Sequence, residues 1–215
     1  MNERILDIIK VDPPISEWDE EIDELLLGYN GDYPQGHVVF TGSSSIRLWE
    51  TLEGDMAPLQ VLNHGFGGSR LYDSIFFADK LVYPFAPKAL VVFAGTNDIN
   101  ESEDTKSGDD AFILAKHLLM EYRKNLPEIP IYYLSVNRCN LRNNVSDEVD
   151  RFNNLMEEYL GGERKMTFIR TSETFLAEDG MPDDGYFQED RLHLNAKGYA
   201  VWASKIKPVL SNDLL

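Results

Sequence analysis

The chain has 215 residues, 43% hydrophobic side chains and a formal net charge of −17. This length favours one domain over two and is enough for a single sizeable core. Such an acidic surface repels phosphate backbones and anionic headgroups, which argues against nucleic acid and membranes as partners. The single cysteine excludes an internal disulfide framework. Charged residues interrupt Met1–Lys10, so no secretory signal is predicted there and a cytoplasmic location is expected.

Five short apolar runs alternate with longer amphipathic stretches. The runs predict strands at His37–Thr41, Leu59–Asn63, Ala89–Ala94, Ile131–Val136 and Met166–Ile169. Helices are predicted at Glu17–Leu27 after an N-cap at Ser16, Ala111–Lys124, Asp147–Leu160 between a cap at Ser146 and a stop at Gly161, and Ala196–Ile206. This alternation predicts a three-layer α/β/α sandwich on a mostly parallel sheet of about five strands. We expect one domain, with residues 1–36 as a helical lead-in and 37–211 as the core.

Small, hydroxyl and amide residues follow the predicted strands. They form the segments Gly42–Ser45, His64–Gly68, Gly95–Asp98 and Asn137–Arg138. Because ligands of open α/β sheets bind outside the carboxyl ends of the strands, these segments predict a site at that edge.

Ser44 is the first candidate for chemistry at this edge. A serine at a strand-to-helix turn is raised above the sheet beside free backbone N–H groups, but its hydroxyl is a weak nucleophile without a base. Two other interpretations stay open. Ser43–Ser45 can cap a helix, and Thr41–Ser45 can hold a phosphate group.

Asp190 and His193 supply a candidate base. On a helical turn, residues three apart are neighbours, so Asp190 could accept a hydrogen bond from one ring nitrogen while the other faces Ser44. Histidine as a residue type is suited to proton transfer near neutral pH. The alternative is a surface histidine beside an incidental acidic residue.

Donors for a developing oxyanion are available nearby. Asn97 offers a side-chain amide, Gly68 offers an N–H that no Cβ obstructs, and the Ser44 N–H completes the set. Alternatively, the glycines merely turn the chain and Asn97–Asp98 caps a helix. Together, the segments predict a nucleophile, a base, a residue that orients the base, and donors at one edge.

With these residues the chain resembles the SGNH hydrolase family, also called GDSL-type lipases and esterases. The matching blocks are Phe40–Ile46, Asn63–Gly68, Gly95–Asp98 and Asp190–Asn195. The resemblance implies a flavodoxin-like fold and ester hydrolysis without a cofactor. It also implies that Ser44, His193 and Asp190 form a catalytic triad, and that Ser44, Gly68 and Asn97 form the oxyanion hole.

One residue departs from the family pattern. Ser43 stands where the first block usually has aspartate, and Gly-Ser-Ser-Ser-Ile followed by Trp49 resembles a subgroup of bacterial members. The departure bears on the lipase label more than on hydrolysis, because Asp190 fills the carboxylate role of the triad.

Most strand connections are short, and the longer ones that should edge the site, Asp98–Asp110, Asn137–Ser146 and Phe175–Glu189, are polar. This favours small acyl groups, such as acetyl esters of a carbohydrate, over long chains that need extended apolar burial. Candidate substrate contacts are Phe66, Arg138, Arg142 and Tyr186. Core packing for the aromatic residues and solvated charge for the arginines are the alternatives.

The main rival function is a flavodoxin-like carrier that binds flavin mononucleotide, which fits the fold and the hydroxyl-rich first loop but leaves Asp190, His193 and Asn97 unexplained. No metal site is expected from the histidine spacing. Cys139 is expected to be an incidental free thiol, and Trp49 and Trp202 to pack helices on the sheet. A small ester is the expected partner, and a homo-oligomer is compatible with the sequence.

Overall fold

A computed structural model describes residues 3–10, 12 and 15–215. Its sheet contains five strands, all parallel, in the spatial order β2-β1-β3-β4-β5. The strands are β1 Val38–Gly42, β2 Val61–Gly65, β3 Ala89–Phe93, β4 Ile131–Leu134 and β5 Met166–Ile169. The predicted parallel sheet is confirmed.

Helices cover both faces of this sheet. They are α1 Glu3–Ile9, α2 Asp19–Leu27, α3 Ser44–Arg47, α4 Leu52–Met56, α5 Leu71–Phe76, α6 Ala78–Leu81, α7 Gly108–Asn125, α8 Ser146–Gly161 and α9 Ala196–Leu214. Alternate residues of β1 point into different cores, because successive side chains of a strand face opposite sides. Val39 packs with α1, α2 and α5–α8, whereas Phe40 packs with α3, α4 and α9. The predicted three layers are therefore present.

Helix boundaries differ from the predictions by a few residues. Helix α2 begins at Asp19, because Ile15–Trp18 forms a 3-10 turn, so the predicted N-cap at Ser16 was wrong. Helix α8 includes both Ser146 and Gly161, which were expected to flank it. Helix α7 begins three residues early, at Gly108, and α9 extends to Leu214.

The described part of the predicted lead-in shares its core with the sheet. Ile5, Ile8 and Ile22 are buried in the same cluster as Val39 and Leu90. On the opposite face, Trp49 and Trp202 pack with ring centroids 5.6 Å apart, and Trp202 lies against Phe93 on β3. The predicted packing roles of both tryptophans are confirmed. None of the helices in the described ranges is long and apolar enough to cross a membrane.

Candidate active site

A tight turn between β1 and α3 presents Ser44 at the carboxyl edge of the sheet. Gly42 has a φ of +126°, and a Cβ on it would lie 2.0 Å from the Phe93 carbonyl oxygen, so the turn requires glycine. Ser44 is the first residue of α3 and keeps 8% of its surface exposed. The preceding Ser43 occupies the N-cap position, but its side chain makes no capping hydrogen bond. Capping therefore does not account for Ser43.

The loop before α9 brings His193 and Asp190 to this serine. Ser44 Oγ lies 2.9 Å from His193 Nε2, and His193 Nδ1 lies 2.6 Å from Asp190 Oδ2. Because a carboxylate accepts hydrogen bonds, Nδ1 carries the proton and Nε2 is free to accept the serine hydroxyl. The order of contacts is that of a serine triad.

Asp190 is held in place by the backbone of its own loop. Its Oδ1 accepts the N–H groups of Leu192 and His193 at 2.9 and 3.0 Å. Desolvation tends to raise the pKa of Asp190, but the hydrogen bonds from the His193 ring and these two amides outweigh it and lower the pKa. A helical turn was predicted for this loop, but it forms a non-helical turn. Arg191 lies in the left-handed region, at a φ of 58°.

The two predicted oxyanion segments lie side by side. A Cβ on Gly68 would be 4.0 Å from Asn97 Nδ2, and Gly68 itself is exposed. Asn97 Nδ2 donates one hydrogen bond to the Ser69 carbonyl at 3.0 Å, which leaves its second hydrogen for a ligand. Since Ser44 begins α3, its N–H has no intrahelical acceptor.

Comparison with known sequences decides the family. The pattern of the GDSL-like Lipase/Acylhydrolase family matches residues 28–201. The chain belongs to this family. Membership makes it a carboxylic ester hydrolase, and the SGNH resemblance is confirmed at family level. Among curated proteins, none matches the chain.

Solved structures share the family fold at low sequence identity. A proposed platelet activating factor from Streptococcus pneumonia has a TM-score of 0.77 and 16% identity, covering 98% of this chain and 100% of that one. A GDSL-like lipase from Bacteroides thetaiotaomicron has a TM-score of 0.72 and 20% identity, covering 93% and 98%. An acetyl-xylooligosaccharide esterase variant from Geobacillus stearmophilus has 0.64 and 15%, covering 85% and 96%.

Arg142 contacts the side chain of Asn97, the predicted oxyanion donor. Its Nη1 and Nη2 each lie 3.3 Å from Asn97 Oδ1, and Nη1 also donates to the Thr96 carbonyl oxygen. Desolvation lowers the pKa of Arg142. Because a guanidinium only donates hydrogen bonds, it binds the amide oxygen of Asn97, and the amide nitrogen therefore points away from Arg142. The structure therefore gives Arg142 a contact with Asn97, and its expected contact with a substrate stays a prediction.

Two other predicted substrate contacts, Phe66 and Arg138, are held by contacts within the protein. Phe66 has no exposed surface and packs in the core against Phe77, with ring centroids 5.7 Å apart, so it cannot line a substrate pocket. Arg138 is paired with Asp150 and lines a separate cavity of about 220 Å³. Burial explains Phe66, and the ion pair explains Arg138.

Tyr186 remains a candidate for substrate contact. It is half-buried in the 3-10 turn Asp184–Tyr186, between Phe175 and the ammonium group of Lys197. Cys139 is buried, and desolvation raises the pKa of its thiol, as suits an unreactive cysteine. Among the residues that the structure describes, no three His, Cys, Asp or Glu side chains are grouped as metal ligands.

A cavity of about 390 Å³ lies beside the loop that carries Asp190 and His193, between α4 and α9. It is lined by Leu48, Glu50, Thr51, Asp55, Gln188, Leu194, Asn195, Ala196, Tyr199 and Ala200. Neither Ser44 nor His193 is among the residues that line this cavity.

Sequence reasoning missed a buried charged group directly after Asn97, the predicted oxyanion donor. Asp98 is fully buried, accepts the Leu71 N–H at 2.9 Å and lies 3.8 Å from Lys106 Nζ. Burial raises its pKa to about 6, although Lys106 opposes the shift. Lys106 also pairs with Asp12, which in turn binds Arg70. Asp98 thus links the Asn97 segment to the start of α5.

In the sequence, only the apolar residues on either side of Asp98, which are Ile99 and the strand before Gly95, indicated that it is buried.

Proposed function

We propose that the protein hydrolyses short-chain carboxylic esters through a covalent acyl-enzyme on Ser44. The observation that carries this proposal is the unbroken contact from Ser44 Oγ through the His193 ring to Asp190, at 2.9 and 2.6 Å. A serine hydroxyl needs such a base to become an effective nucleophile.

In the first half-reaction, Ser44 Oγ attacks the ester carbonyl carbon while His193 Nε2 takes the hydroxyl proton. The carbonyl π electrons move to oxygen, and the resulting oxyanion accepts hydrogen bonds from the Ser44 and Gly68 N–H groups and from Asn97 Nδ2. When the intermediate collapses, the bond to the alcohol breaks and His193 delivers the proton to the leaving oxygen. Asp190 stabilises the imidazolium throughout.

The second half-reaction repeats these steps with water. His193 takes a proton from water as its oxygen attacks the acyl-enzyme, and the same donors hold the new oxyanion. Collapse breaks the bond to Ser44 Oγ, which recovers its proton from His193 and releases the acid. The three residues return to their starting protonation states, so the cycle needs no further group.

We further propose that the acyl group is small, with acetyl on a carbohydrate as the preferred class. Support comes from the polar residues Asn100, Asn140 and Asn143 in the segments that follow β3 and β4, and from the fold shared with an acetyl-xylooligosaccharide esterase. We also assign the chain to the bacterial Gly-Ser-Ser-Ser-Ile subgroup on its residues Gly42–Ile46. The flavin-carrier alternative is not favoured by the family match.

A panel of esters tests this proposal. We expect kcat/KM to fall as the acyl chain lengthens from acetyl, and acetylated sugars to release acetate. Ser44→Ala should lower kcat by about 10⁴- to 10⁶-fold. Undiminished turnover by a folded Ser44→Ala variant contradicts the mechanism, whereas a preference for long acyl chains contradicts only the substrate class.

A further inference from the structure

A carboxylate from the N-terminal part of the chain contacts the oxyanion loop. Glu21 Oε1, on α2, accepts the Gly67 N–H at 2.8 Å. The same oxygen lies 3.4 Å from Arg47 Nε, at the end of the helix that begins with Ser44. Glu21 therefore joins the loop that carries Gly68 to the helix that carries the nucleophile.

Trp18 packs against the same loop. A methyl group on Gly67 would lie 2.1 Å from Cζ3 of the Trp18 ring, and one on Gly68 would lie 3.7 Å from Cη2. The indole also meets the Phe66 ring edge-on, with centroids 6.2 Å apart, and hydrogen-bonds to Asp73. The ring thus covers the backbone of Gly67 closely enough to exclude any side chain there.

This contact matters because two adjacent glycines have more backbone freedom than any other pair of residues. Gly68 is exposed and has no side chain to hold it. The direction of its N–H therefore depends on how the preceding residue is fixed. A preorganised donor stabilises the transition state without reorganisation, whereas a misplacement of about 1 Å can cost as much as 100-fold in rate.

We propose that Glu21 is a positioning residue for the oxyanion hole, and that Trp18 locks Gly67 in the conformation that Glu21 binds. The proposal rests on the proposed function of Ser44 and Gly68. Both residues precede residue 28, where the match to the family pattern begins. The site of this protein is therefore completed by a segment outside the matched region.

The first test compares Glu21→Ala and Glu21→Gln with Glu24→Ala, which removes an exposed carboxylate from the same helix. With a short acetyl ester, we expect Glu21→Ala to lower kcat about 10- to 100-fold with little change in KM. The Gln variant should recover part of this loss, since its amide oxygen can still accept the Gly67 N–H. Glu24→Ala should keep wild-type kcat. Melting temperatures establish that all variants are folded at the assay temperature.

The outcomes separate this inference from the proposed function. If Ser44→Ala is inactive while Glu21→Ala keeps kcat within twofold of wild type, the positioning role is overturned and the esterase proposal stands. If Ser44→Ala remains active, both fail. An equal loss of kcat in Glu21→Ala and Glu24→Ala also overturns the role of Glu21, because the loss then reflects only the removal of a negative charge from α2.

A second test uses the steric contact and does not require Glu21 variants to fold. Gly67→Ala should lower kcat, since the new Cβ would lie 2.1 Å from the Trp18 ring and 2.9 Å from Glu21 Oε2. In a Trp18→Ala background only the milder approach to Glu21 is left, so the same change should cost at least several-fold less. Such non-additivity is expected only for groups in contact. An identical effect of Gly67→Ala in both backgrounds overturns the lock by Trp18.

Discussion

The guanidinium of Arg142 holds the side-chain oxygen of Asn97, with both terminal nitrogens 3.3 Å from Oδ1. Nδ2 of the same amide donates to the Ser69 carbonyl at 3.0 Å. The amide oxygen of Asn97 faces a donor, and its nitrogen faces an acceptor. These two contacts fix the orientation of the amide and therefore the direction of its second N–H. The amide that we propose as an oxyanion donor is thus oriented by contacts within the protein.

Asn97→Ala tests the donor itself. Removing one oxyanion donor typically costs about 10² to 10³ in kcat, because the charge that develops on the carbonyl oxygen loses a preorganised partner. We expect this loss in steady-state kinetics with an acetyl ester, with KM changing much less. A variant that keeps kcat within threefold would exclude Asn97 from the oxyanion hole.

Arg142→Lys tests the orientation of that donor. Lysine keeps the charge but replaces the planar fork by a single ammonium group, so Asn97 is less firmly held. We expect kcat to fall about tenfold, from a donor misplaced by less than 1 Å. The matched control is Arg151→Lys, at an arginine paired with Asp109 on the surface.

Arg142→Lys in the Asn97→Ala background distinguishes whether Arg142 orients Asn97 or contacts the substrate directly. If Arg142 acts through the asparagine amide, its replacement should have little further effect once that amide is gone. Equal losses in both backgrounds would mean that Arg142 contacts the substrate, as the sequence first suggested.

Asp190→Asn tests the carboxylate of the triad. Asparagine preserves the size of the side chain but can present an amide N–H to His193, which favours the wrong ring tautomer. We expect kcat to fall by about 10⁴-fold, as in other serine triads. Kinetics at saturating ester, with circular dichroism to verify folding, measure this loss. A loss smaller than tenfold would show that His193 does not depend on Asp190.

Asp98→Asn tests the buried carboxylate through the pH dependence of stability. The pKa of Asp98 is raised from 3.8 to about 6 by burial, with Lys106, Leu71 N–H and Arg70 opposing and Asp12 reinforcing the shift. Because the folded protein binds this proton more tightly than the unfolded chain does, protonation favours folding. For this group, the free energy of unfolding falls as pH rises from about 4 to about 6 and is level above that.

The asparagine variant lacks this titration, so the wild-type protein should lose stability relative to the variant across that window. Urea unfolding at several pH values measures the difference, and Asp147→Asn, at an exposed position, controls for the change in charge. A difference between wild type and Asp98→Asn that stays constant from pH 4 to 6 would show that Asp98 is ionised throughout.

Much of the fold follows from local pattern. The five apolar runs became five strands, and the inner ones, β1, β3 and β4, are buried at every residue. A buried parallel strand needs apolar side chains on both faces, a property visible within a few residues. Boundaries were less accurate where tertiary contacts intervened. Ser16 is a good N-cap by residue type, yet Ile15–Trp18 forms a 3-10 turn and α2 starts at Asp19.

The segments that carry Ser44, Gly68 and Asn97 were also predictable from the sequence, because a strand end places its next residues at one edge of the sheet. His193, 149 residues from Ser44, lies in the loop before α9 rather than at a strand end, so its place beside Ser44 was expected from the family resemblance. Only the tertiary structure decided which partners the charged residues contact. Arg142 reaches Asn97 across 45 residues and Glu21 reaches Gly67 across 46. The sequence around a charged residue does not show whether its side chain points to solvent or binds a partner inside the protein. Its long side chain can reach either one, and only the packing of the folded chain selects between them.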